Sequence, residues 1–349
     1  MSTFYPLTVS EIKRETPLSV SITFTVPESL KNTFAFIAGQ YITIKHTIGE
    51  NEIRRAYSIC SSPSSGILKI GVKAVANGSF SVYANKQLKK GDILEVLPPQ
   101  GKFIFTPDPN LNKSYAAFAA GSGITPVLSM IKCAMEEETK SKFLLVYGNR
   151  NKEQTMFYDD LMQLKEAYPN RFFIEFVFSR EDVEGALFGR IDRGTVNFFI
   201  KNKYRETSFS KFYICGPEEM IRTVTETLKN NAVSKEQILF ELFTAPEEDN
   251  AVKIKDGYTQ LTITVDDETH SLTIPQTQTV LDAALKNDID APYSCRGGVC
   301  STCIAKVTEG KAVMKKNQIL TDDEIDQGYI LTCQAHPTTL HLTIDYDDI

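Results

Sequence analysis

The sequence has no excess of basic residues and no long apolar run. Its 349 residues carry 38 Lys and Arg against 44 Asp and Glu, a formal net charge of -6, whereas a general nucleic-acid-binding protein needs a basic surface. No stretch approaches the roughly 20 apolar residues that span a bilayer. The N-terminus also lacks the basic and apolar segments of a secretory signal. We therefore expect a cytoplasmic protein with no nucleic-acid or membrane partner.

Glycine and proline are scarce as well, at 19 and 15 residues, and the chain has only four histidines. This composition excludes low-complexity disorder as the main state, and we assign no ligand role to His270, His336 or His341. The seven cysteines are expected in a reducing compartment, where disulfides are rare. At roughly 150 residues per domain, the length suggests two or three domains.

Charge is distributed unequally along the chain. Residues 256–349 carry 15 acidic and 6 basic side chains, a net of -9, while residues 1–255 carry 29 and 32, a net of +3. A break of this size indicates a domain boundary. We expect the opposite fields to steer the two segments together and to present an acidic face to a partner protein.

Alternating apolar and polar residues dominate the first hundred positions, in short segments separated by turn residues. This pattern favours a small antiparallel β-barrel with one helical segment, Phe80–Gln87. The predicted strands are Ser19–Val26, Gln40–Thr47, Leu68–Val75 and Asp92–Leu97. Pro98-Pro99 and Thr106–Asn110 are expected to form the linker that leaves the barrel.

From Ser114 onward, apolar runs alternate with amphipathic helical patterns, as in a parallel sheet covered on both faces. The predicted strands are Tyr115–Ala120, Phe143–Tyr147, Phe172–Phe178 and Phe212–Cys215, with a further apolar stretch at Val196–Ile200. A polar segment over residues 245–256 is typical of a linker. The last part predicts a hairpin (Leu261–Ile274), a helix (Val280–Lys286), a capping box at Thr321–Glu324 and a closing strand (Leu340–Ile344).

The most specific motif is a set of four cysteines, Cys295, Cys300, Cys303 and Cys333. Their spacing is that of plant-type [2Fe–2S] clusters, in which a loop supplies three thiolates and a distant residue the fourth. Gly297, Gly298 and Ser301 would let backbone N–H groups approach the cluster sulfides. A zinc site usually needs two Cys-x2-Cys pairs, and three free thiols in nine residues would be unusually dense. The segment Tyr293–Cys303 closely resembles plant-type ferredoxins.

Two motifs in the first hundred residues suggest a flavin. In Arg54–Ser58, an aromatic ring, an arginine and a serine suit the isoalloxazine and phosphate of a flavin, although a charged strand edge is the plain alternative. Asn77–Ser81 is a Gly/Ser loop before a helix, where free N–H groups suit a pyrophosphate; an ordinary capped turn is the alternative. Together, in this order, the two motifs are much stronger than either one.

Three further motifs follow predicted strands of the parallel sheet, where open α/β sheets bind ligands. Gly121–Pro126 lets phosphates approach closely, although it is not a full dinucleotide fingerprint and is also compatible with a plain tight turn. Cys215–Glu218 would place Cys215 beside a nicotinamide or simply bury it at a strand end. Ser179-Arg180 suits the 2′-phosphate of NADPH, but Glu181 next to it complicates that inference, and a solvated Arg180 is the plain alternative.

In this order the motifs resemble the ferredoxin–NADP reductase superfamily, and with the C-terminal cysteine motif the whole chain resembles oxygenase reductases. Among these it is most like the reductase subunits of phenylacetyl-CoA epoxidases. The resemblance implies a multi-domain chain: an antiparallel β-barrel FAD domain (1–109), an α/β parallel-sheet NAD(P) domain (110–246), a linker (247–257) and an α+β β-grasp [2Fe–2S] domain (258–349). FMN replaces FAD in the phthalate dioxygenase reductase branch, but the pyrophosphate-type loop favours FAD.

The resemblance also implies roles for individual residues. Thr125, Cys215 and Glu241 would lie at the reacting centre, and Phe243 would close over the flavin. The implied cofactor-binding residues are Arg55, Ala56, Tyr57, Ser58, Val72, Lys73, Gly78, Ser79, Phe80, Ser81, Gly121, Ser122, Gly123, Thr125, Pro126, Ser179, Arg180, Gly216, Pro217 and Phe243; the four cysteines of the motif would bind the metal cluster.

These parts imply electron flow from NADPH, or NADH, through FAD and the [2Fe–2S] cluster to an oxygenase. The expected acceptor is phenylacetyl-CoA epoxidase. The alternatives are a Rieske dioxygenase, a steroid or alkane hydroxylase, or a non-enzymatic electron-carrier or redox-sensing module whose nucleotide site no longer works.

Overall fold

A computed structural model describes residues 3–49, 51–76, 78–243 and 257–349. The chain divides into two compact units, one of which is formed by Tyr5–Ile53 and Tyr57–Phe243, while the other is built on the C-terminal part. Within the described residues, no helix is both long and apolar enough to cross a membrane.

The N-terminal part of the larger unit is an antiparallel barrel. Its strands are β1 (Tyr5–Thr16), β2 (Ser19–Thr25), β3 (Tyr41–Ile48), β4 (Asn51–Ser58), β5 (Leu68–Lys73) and β6 (Ile93–Gln100), in the order β4-β3-β6-β1-β2-β5. An antiparallel bridge joins Ile59, just after β4, to Ile70 in β5. Because β4 and β5 are the outer strands of this order, the bridge closes the sheet on itself.

Alternation in the barrel strands places apolar side chains inside. Ile22, Ile70 and Val72 are fully buried in this core, and helix α1 (Ser79–Lys86) adds Phe80 to it. The prediction for Pro98-Pro99 was wrong, since both prolines lie within β6 rather than in a linker. The β3–β6 register shifts between the pairs Tyr41–Gln100 and Thr43–Leu97, and a bulge tolerates prolines because they have no N–H to pair.

The rest of the larger unit is a six-stranded parallel sheet. Its strands are β7 (Ser114–Ala120), β8 (Lys142–Asn149), β9 (Phe172–Phe178), β10 (Leu187–Phe188), β11 (Phe209–Cys215) and β12 (Ile238–Glu241), in the order β10-β9-β8-β7-β11-β12. The helices are α2 (Ile124–Glu137), α3 (Tyr158–Ala167), α4 (Arg193–Asn197), which continues as a π-helix (Phe198–Lys203), and α5 (Glu218–Asn230). The apolar stretch Val196–Ile200 is therefore helical.

Strand order in this sheet defines a ligand-binding edge. From β7 the chain proceeds through β8, β9 and β10 on one side, and then returns to β11 and β12 on the other. The order therefore reverses between β7 and β11, and the crevice beyond the carboxyl ends of such strands is where open α/β sheets bind ligands.

The C-terminal unit combines a mixed sheet with one packed helix. Strands β13 (Tyr258–Val265), β14 (Glu268–Pro275), β15 (Ile304–Glu309), β17 (Tyr329–Leu331) and β19 (His341–Asp345) form the sheet β14-β13-β19-β15-β17, and β16 (Ala312–Met314) pairs with β18 (Ala335–Pro337). Helix α6 (Val280–Lys286) buries Val280, Leu281 and Ala284 against it. Helix α7 (Asp322–Asp326) begins with the expected capping box of Thr321 and Glu324.

Candidate redox centres

The four cysteines of the C-terminal motif lie together as two pairs. The thiols of Cys295 and Cys300 are hydrogen-bonded to each other, and so are those of Cys303 and Cys333. All but Cys295 are buried. Among the described residues, no three His, Cys, Asp or Glu side chains are grouped as ligands of a single metal ion. Two pairs of thiols instead suit two irons that each take two thiolates.

The hydrogen bond within the first pair separates the pKa values of its two thiols. The bond from Cys300, helped by the backbone N–H of Gly297 at 3.3 Å, lowers the pKa of Cys295 against the effect of burial. The same bond, together with burial, raises the pKa of Cys300. Cys295 is therefore the thiol of this pair that loses its proton more readily, and the thiolate is the form in which thiols bind metals.

The loop that carries three of these cysteines is held in an unusual backbone conformation. Arg296 and Gly298 both have positive φ, 54° and 73°, and a Cβ on Gly298 would lie 2.8 Å from the backbone oxygen of Lys316. Gln334 donates from Nε2 to the Arg296 carbonyl at 3.0 Å. The close backbone of Lys316 therefore favours glycine at position 298. The hydrogen bond from Gln334 attaches the loop to the segment after Cys333.

Two of the predicted motifs meet where the strand order of the parallel sheet reverses. Gly121–Gly123 follows β7, and Gly216 follows β11. A Cβ on Gly123 would lie 2.1 Å from the backbone oxygen of Cys215, and one on Gly216 would lie 2.7 Å from Met220 Cε. The backbone contact leaves room only for glycine at position 123, so the two loops lie against each other at the expected ligand-binding edge.

The carboxyl of Glu241 lies close to the same edge. Cys215 is paired with Glu241 on β12 and with Ala119 on β7, and Ser58 of the barrel donates from Oγ to Glu241 Oε2 at 3.2 Å. Burial raises the pKa of Glu241 to about 8, although the Ser58 bond acts against this rise. Burial, and then the charge of Glu241, raises the pKa of Cys215. Both shifts favour the protonated form of the group.

Family models of known domains match three consecutive segments of the chain. The oxidoreductase FAD-binding domain matches residues 6–105, the oxidoreductase NAD-binding domain residues 118–226, and the 2Fe-2S iron-sulfur cluster binding domain residues 263–338. The chain is 37% identical to a subunit of the 1,2-phenylacetyl-CoA epoxidase of Escherichia coli (strain K12), with 99% of each chain covered. The chain belongs to the family of oxygenase reductase components.

Other members and a solved structure agree with this assignment. The ferredoxin reductase component of the 3-ketosteroid-9-alpha-monooxygenase of Rhodococcus rhodochrous is 35% identical, with 97% of this chain and 96% of that one covered. Phthalate dioxygenase reductase has the same fold, with a TM-score of 0.62, 24% identity and 98% of both chains covered. The expected three-part fold is confirmed, as are the FAD, NAD(P)H and [2Fe–2S] chemistry of an electron-transfer oxidoreductase.

The barrel of this reductase offers a cradle that fits a flavin pyrophosphate. Gly78 precedes α1 without a side-chain cap, and a Cβ there would lie 2.2 Å from Ser81 Oγ. The hydroxyl of Ser79 is buried and has no hydrogen-bond partner among the described residues. A helix N-terminus with an unused buried hydroxyl suits an anion. Asn77, the first residue of this motif, lies outside the described residues.

Beside the cradle, the ring of Tyr57 packs against Phe80, with centroids 5.5 Å apart. Arg55 is exposed and donates from NH1 to the Arg54 carbonyl at 2.8 Å. The motif over residues 55–58 thus ends with the buried Ser58, whose partner is Glu241.

On the nucleotide side, the chain provides cations that sequence reasoning only partly found. Lys73, at the end of β5, reaches the Gly121 turn, since a Cβ on Gly121 would lie 3.6 Å from Lys73 Nζ. Burial and the charge of Arg150 lower the pKa of Lys73. Sequence reasoning assigns Arg150 no binding role. The signal that marks it is its position one residue after β8, at the edge where strands β7 and β11 also end.

Other predicted residues lie farther from the β7–β11 reversal along this edge or are engaged differently. Ser179 and Arg180 follow β9, two strands from β7, and their backbone N–H groups donate to the carbonyls of Asn149 and Arg150. The Glu181 carboxylate accepts the backbone N–H of Lys152 at 2.8 Å. Phe243 is 39% exposed at the end of its described segment, and its expected role over the flavin stays a prediction.

Pro126 is the third residue of α2. It remains in the first turn, where the missing N–H has no acceptor within the helix.

Proposed function

We propose that this chain is the NADPH-dependent reductase of a phenylacetyl-CoA epoxidase. The identity of 37% across 99% of the chain supports this acceptor. A ketosteroid monooxygenase is the second candidate, because the relative named for that system is 35% identical over nearly the same length. When bound, the cofactors supply hydride transfer from NADPH to FAD and single-electron transfer through the [2Fe–2S] cluster.

The observation that carries the proposal is the meeting of Ser58, Cys215 and Glu241 at the nucleotide edge. These residues come from the barrel, from β11 and from β12, so a flavin held by the barrel and a nicotinamide at the edge would meet beside them. We assign Ser58 and Glu241 to a buried hydrogen-bonded pair that holds a proton at neutral pH. Thr125 and Cys215 exclude water there, since both are buried.

The remaining residues bind the cofactors. Arg55 and Gly78–Ser81 would hold the FAD phosphates, with Tyr57 against the flavin ring. Gly121–Gly123, Lys73 and Arg150 would hold the nucleotide pyrophosphate, and Arg180 the 2′-phosphate that distinguishes NADPH from NADH. Cys295 and Cys300 would bind one iron of the cluster, and Cys303 and Cys333 the other. We also propose the domain boundaries 1–109, 110–246 and 258–349, and a cytoplasmic location.

The test is a coupled assay with purified oxygenases. The reductase is mixed with the oxygenase component of a phenylacetyl-CoA epoxidase, or with that of a ketosteroid monooxygenase, and product formed per NADPH consumed is measured. We expect a ratio near one with the epoxidase and uncoupled NADPH consumption with the other. Tight coupling with the ketosteroid enzyme alone would reverse the assignment, and failure of NADPH to bleach the flavin would remove the reductase function altogether.

A further inference from the structure

Gly71 lies in barrel strand β5, which is near both halves of the proposed reacting centre. It is paired with Ser21 on β2, and its neighbour Ile70 is bridged to Ile59, the residue after Ser58. One edge of this strand is thus next to the residue that follows the flavin motif. The next two residues of β5 are Val72 and Lys73, and Lys73 reaches the nucleotide turn.

The face of Gly71 on which a side chain would lie touches the parallel-sheet half of the unit. A Cβ added to Gly71 would lie 2.6 Å from Thr125 Cγ2, 3.1 Å from Phe157 Cζ and 3.2 Å from Met156 Cε. Real Cβ atoms are essentially never found at 2.6 Å from another heavy atom, and Thr125 is short and β-branched, so it cannot swing aside easily. The absence of a side chain at Gly71 therefore sets how closely the barrel approaches α2.

Phe157 meets this glycine at a conformational cost. Its φ is +58°, a left-handed conformation that is unfavourable for a bulky residue and free for glycine. The residue is nevertheless a phenylalanine, it is only 3% exposed, and its ring tip faces Gly71. A strained buried residue persists when the surrounding structure fixes it, and such residues cluster at functional sites.

Two of the three contacts of Gly71, Thr125 and Met156, are connected to the nucleotide turn by hydrogen bonds. Thr125 donates from Oγ1 to the Ser122 carbonyl at 3.0 Å. The hydroxyl of Tyr147 lies 2.8 Å from the Gly121 carbonyl and 3.4 Å from that of Met156, the residue before Phe157. A displacement at Gly71 would therefore be passed to Gly121–Gly123.

Helix α2 is also attached to the barrel away from this contact. Ser129 donates to the Ser61 carbonyl at 2.6 Å, and the hydroxyls of Ser62 and Ser64 both donate to the Glu136 carboxylate. With α2 held along its length, a clash at its first turn cannot be relieved by moving the whole helix. It must instead move Thr125 and the turn beside it.

We propose that Gly71 and Phe157 are positioning residues that set the spacing between the flavin bound by the barrel and the nicotinamide bound at the Gly121 turn. The inference rests on the proposed function, because it assumes that both cofactors bind there. Hydride transfer requires the two rings at near contact, and a misplacement of about 1 Å can slow such a step about a hundredfold.

The test begins with Gly71→Ala in the full chain loaded with FAD and its cluster. Anaerobic stopped-flow measures how fast saturating NADPH bleaches the flavin, and the long-wavelength charge-transfer absorbance reports nicotinamide stacked on the flavin. We expect bleaching to slow by at least about tenfold and the charge-transfer band to weaken. The FAD content and the reduction of the cluster by dithionite should stay at the parent values.

A compensating change identifies the cause. Thr125→Ser removes Cγ2 but keeps the hydroxyl that bonds to Ser122, so the double variant Gly71→Ala/Thr125→Ser should regain the bleaching rate and charge-transfer band of Thr125→Ser alone. If Gly71→Ala loses FAD through misfolding, Phe157→Leu, which withdraws the ring tip, should weaken the same band with FAD retained. Full-rate bleaching by a loaded Gly71→Ala protein, no recovery in the double variant, or an unchanged band in Phe157→Leu would each overturn the proposal.

The experiments distinguish failure of the proposed function from failure of this inference. A parent protein that neither NADPH nor NADH can bleach would remove the function itself. A parent protein that is bleached normally, with variants that match it, would remove only the positioning role.

Discussion

Ser58 Oγ lies 3.2 Å from Glu241 Oε2, and the two residues are 183 positions apart in the sequence. One ends a barrel strand, and the other ends a strand of the parallel sheet. The bond therefore joins the part of the chain that would hold the flavin to the edge that would hold the nicotinamide. The carboxyl of Glu241 is buried and has a raised pKa, so its protonation state offers a direct test of the site.

We expect stability to depend on the titration of Glu241. Burial raises its pKa from 4.5 to about 8, so between these pH values the folded state binds more protons than the unfolded state. The free energy of unfolding should therefore fall as pH rises through this window. Glu241→Gln cannot ionise and should flatten the fall, measured by urea unfolding between pH 5 and 9 with flavin fluorescence as the signal.

The matched control is Glu226→Gln, a change at an exposed position of α5. It should keep the parent's pH dependence. A Glu241→Gln protein with the parent's slope would show that the buried carboxyl does not titrate in this range.

Sequence reasoning located the parts of the site that depend on local chain geometry. The loop with Cys295, Cys300 and Cys303 and the glycine turns need only neighbouring residues, and they are found where loops and strand ends were predicted. The Ser58–Glu241 hydrogen bond could not be predicted from the sequence, because it depends on the strand order β7-β11-β12 and on how the barrel packs against that edge. Only the family resemblance points to Glu241, and no periodicity marks a buried carboxyl.

Two other differences between the sequence-based prediction and the structure also arise from contacts between residues that are distant in the sequence. The local pattern predicts a linker at Pro98-Pro99 because proline usually ends strands, but register across β3 decides that the two residues fit a bulge. Gly71 has no turn or phosphate motif around it, and its importance comes from Thr125 and Phe157, which are distant in sequence. The expected linker, 247–257, lies outside the described residues except for Gly257.

Removing one cluster thiol should separate the two redox functions. Cys303→Ser leaves Cys333 without its partner, so we expect loss of the [2Fe–2S] absorption bands, of iron and acid-labile sulfide, and of cytochrome c reduction. Flavin bleaching by NADPH should persist, since no residue of the proposed flavin site is altered. Cys133→Ser is the control, because that buried thiol donates to Glu137 at 3.4 Å and a hydroxyl can do the same. Retention of the cluster bands in Cys303→Ser would contradict the ligand assignment.

A methyl group at Gly123 should damage the nucleotide edge. Its Cβ would lie 2.1 Å from a backbone oxygen, which cannot give way as a side chain can, and overpacking of this kind typically costs about 1–3 kcal/mol. We expect Gly123→Ala to bind FAD and the cluster but to lose most NADPH-driven bleaching. Gly194→Ala in α4, where the nearest atom would be 3.3 Å away, should behave as the parent does. Equal bleaching by both variants would remove the turn from the nucleotide site.

Lys73 and Arg180 should affect nucleotide binding differently. Lys73 adjoins the Gly121 turn, and the pyrophosphate it would bind is common to NADPH and NADH, so Lys73→Gln should raise the KM for both. Arg180 is exposed after β9, where only the 2′-phosphate of NADPH would reach it. Arg180→Gln should therefore raise the KM for NADPH by about tenfold, the equivalent of about 1.4 kcal/mol, and leave that for NADH unchanged.

Steady-state kinetics with both nucleotides distinguishes the two patterns. The ionic strength is kept fixed, because exposed charge pairs weaken as salt rises. If Arg180→Gln changed both KM values equally, Arg180 would have no part in selecting NADPH.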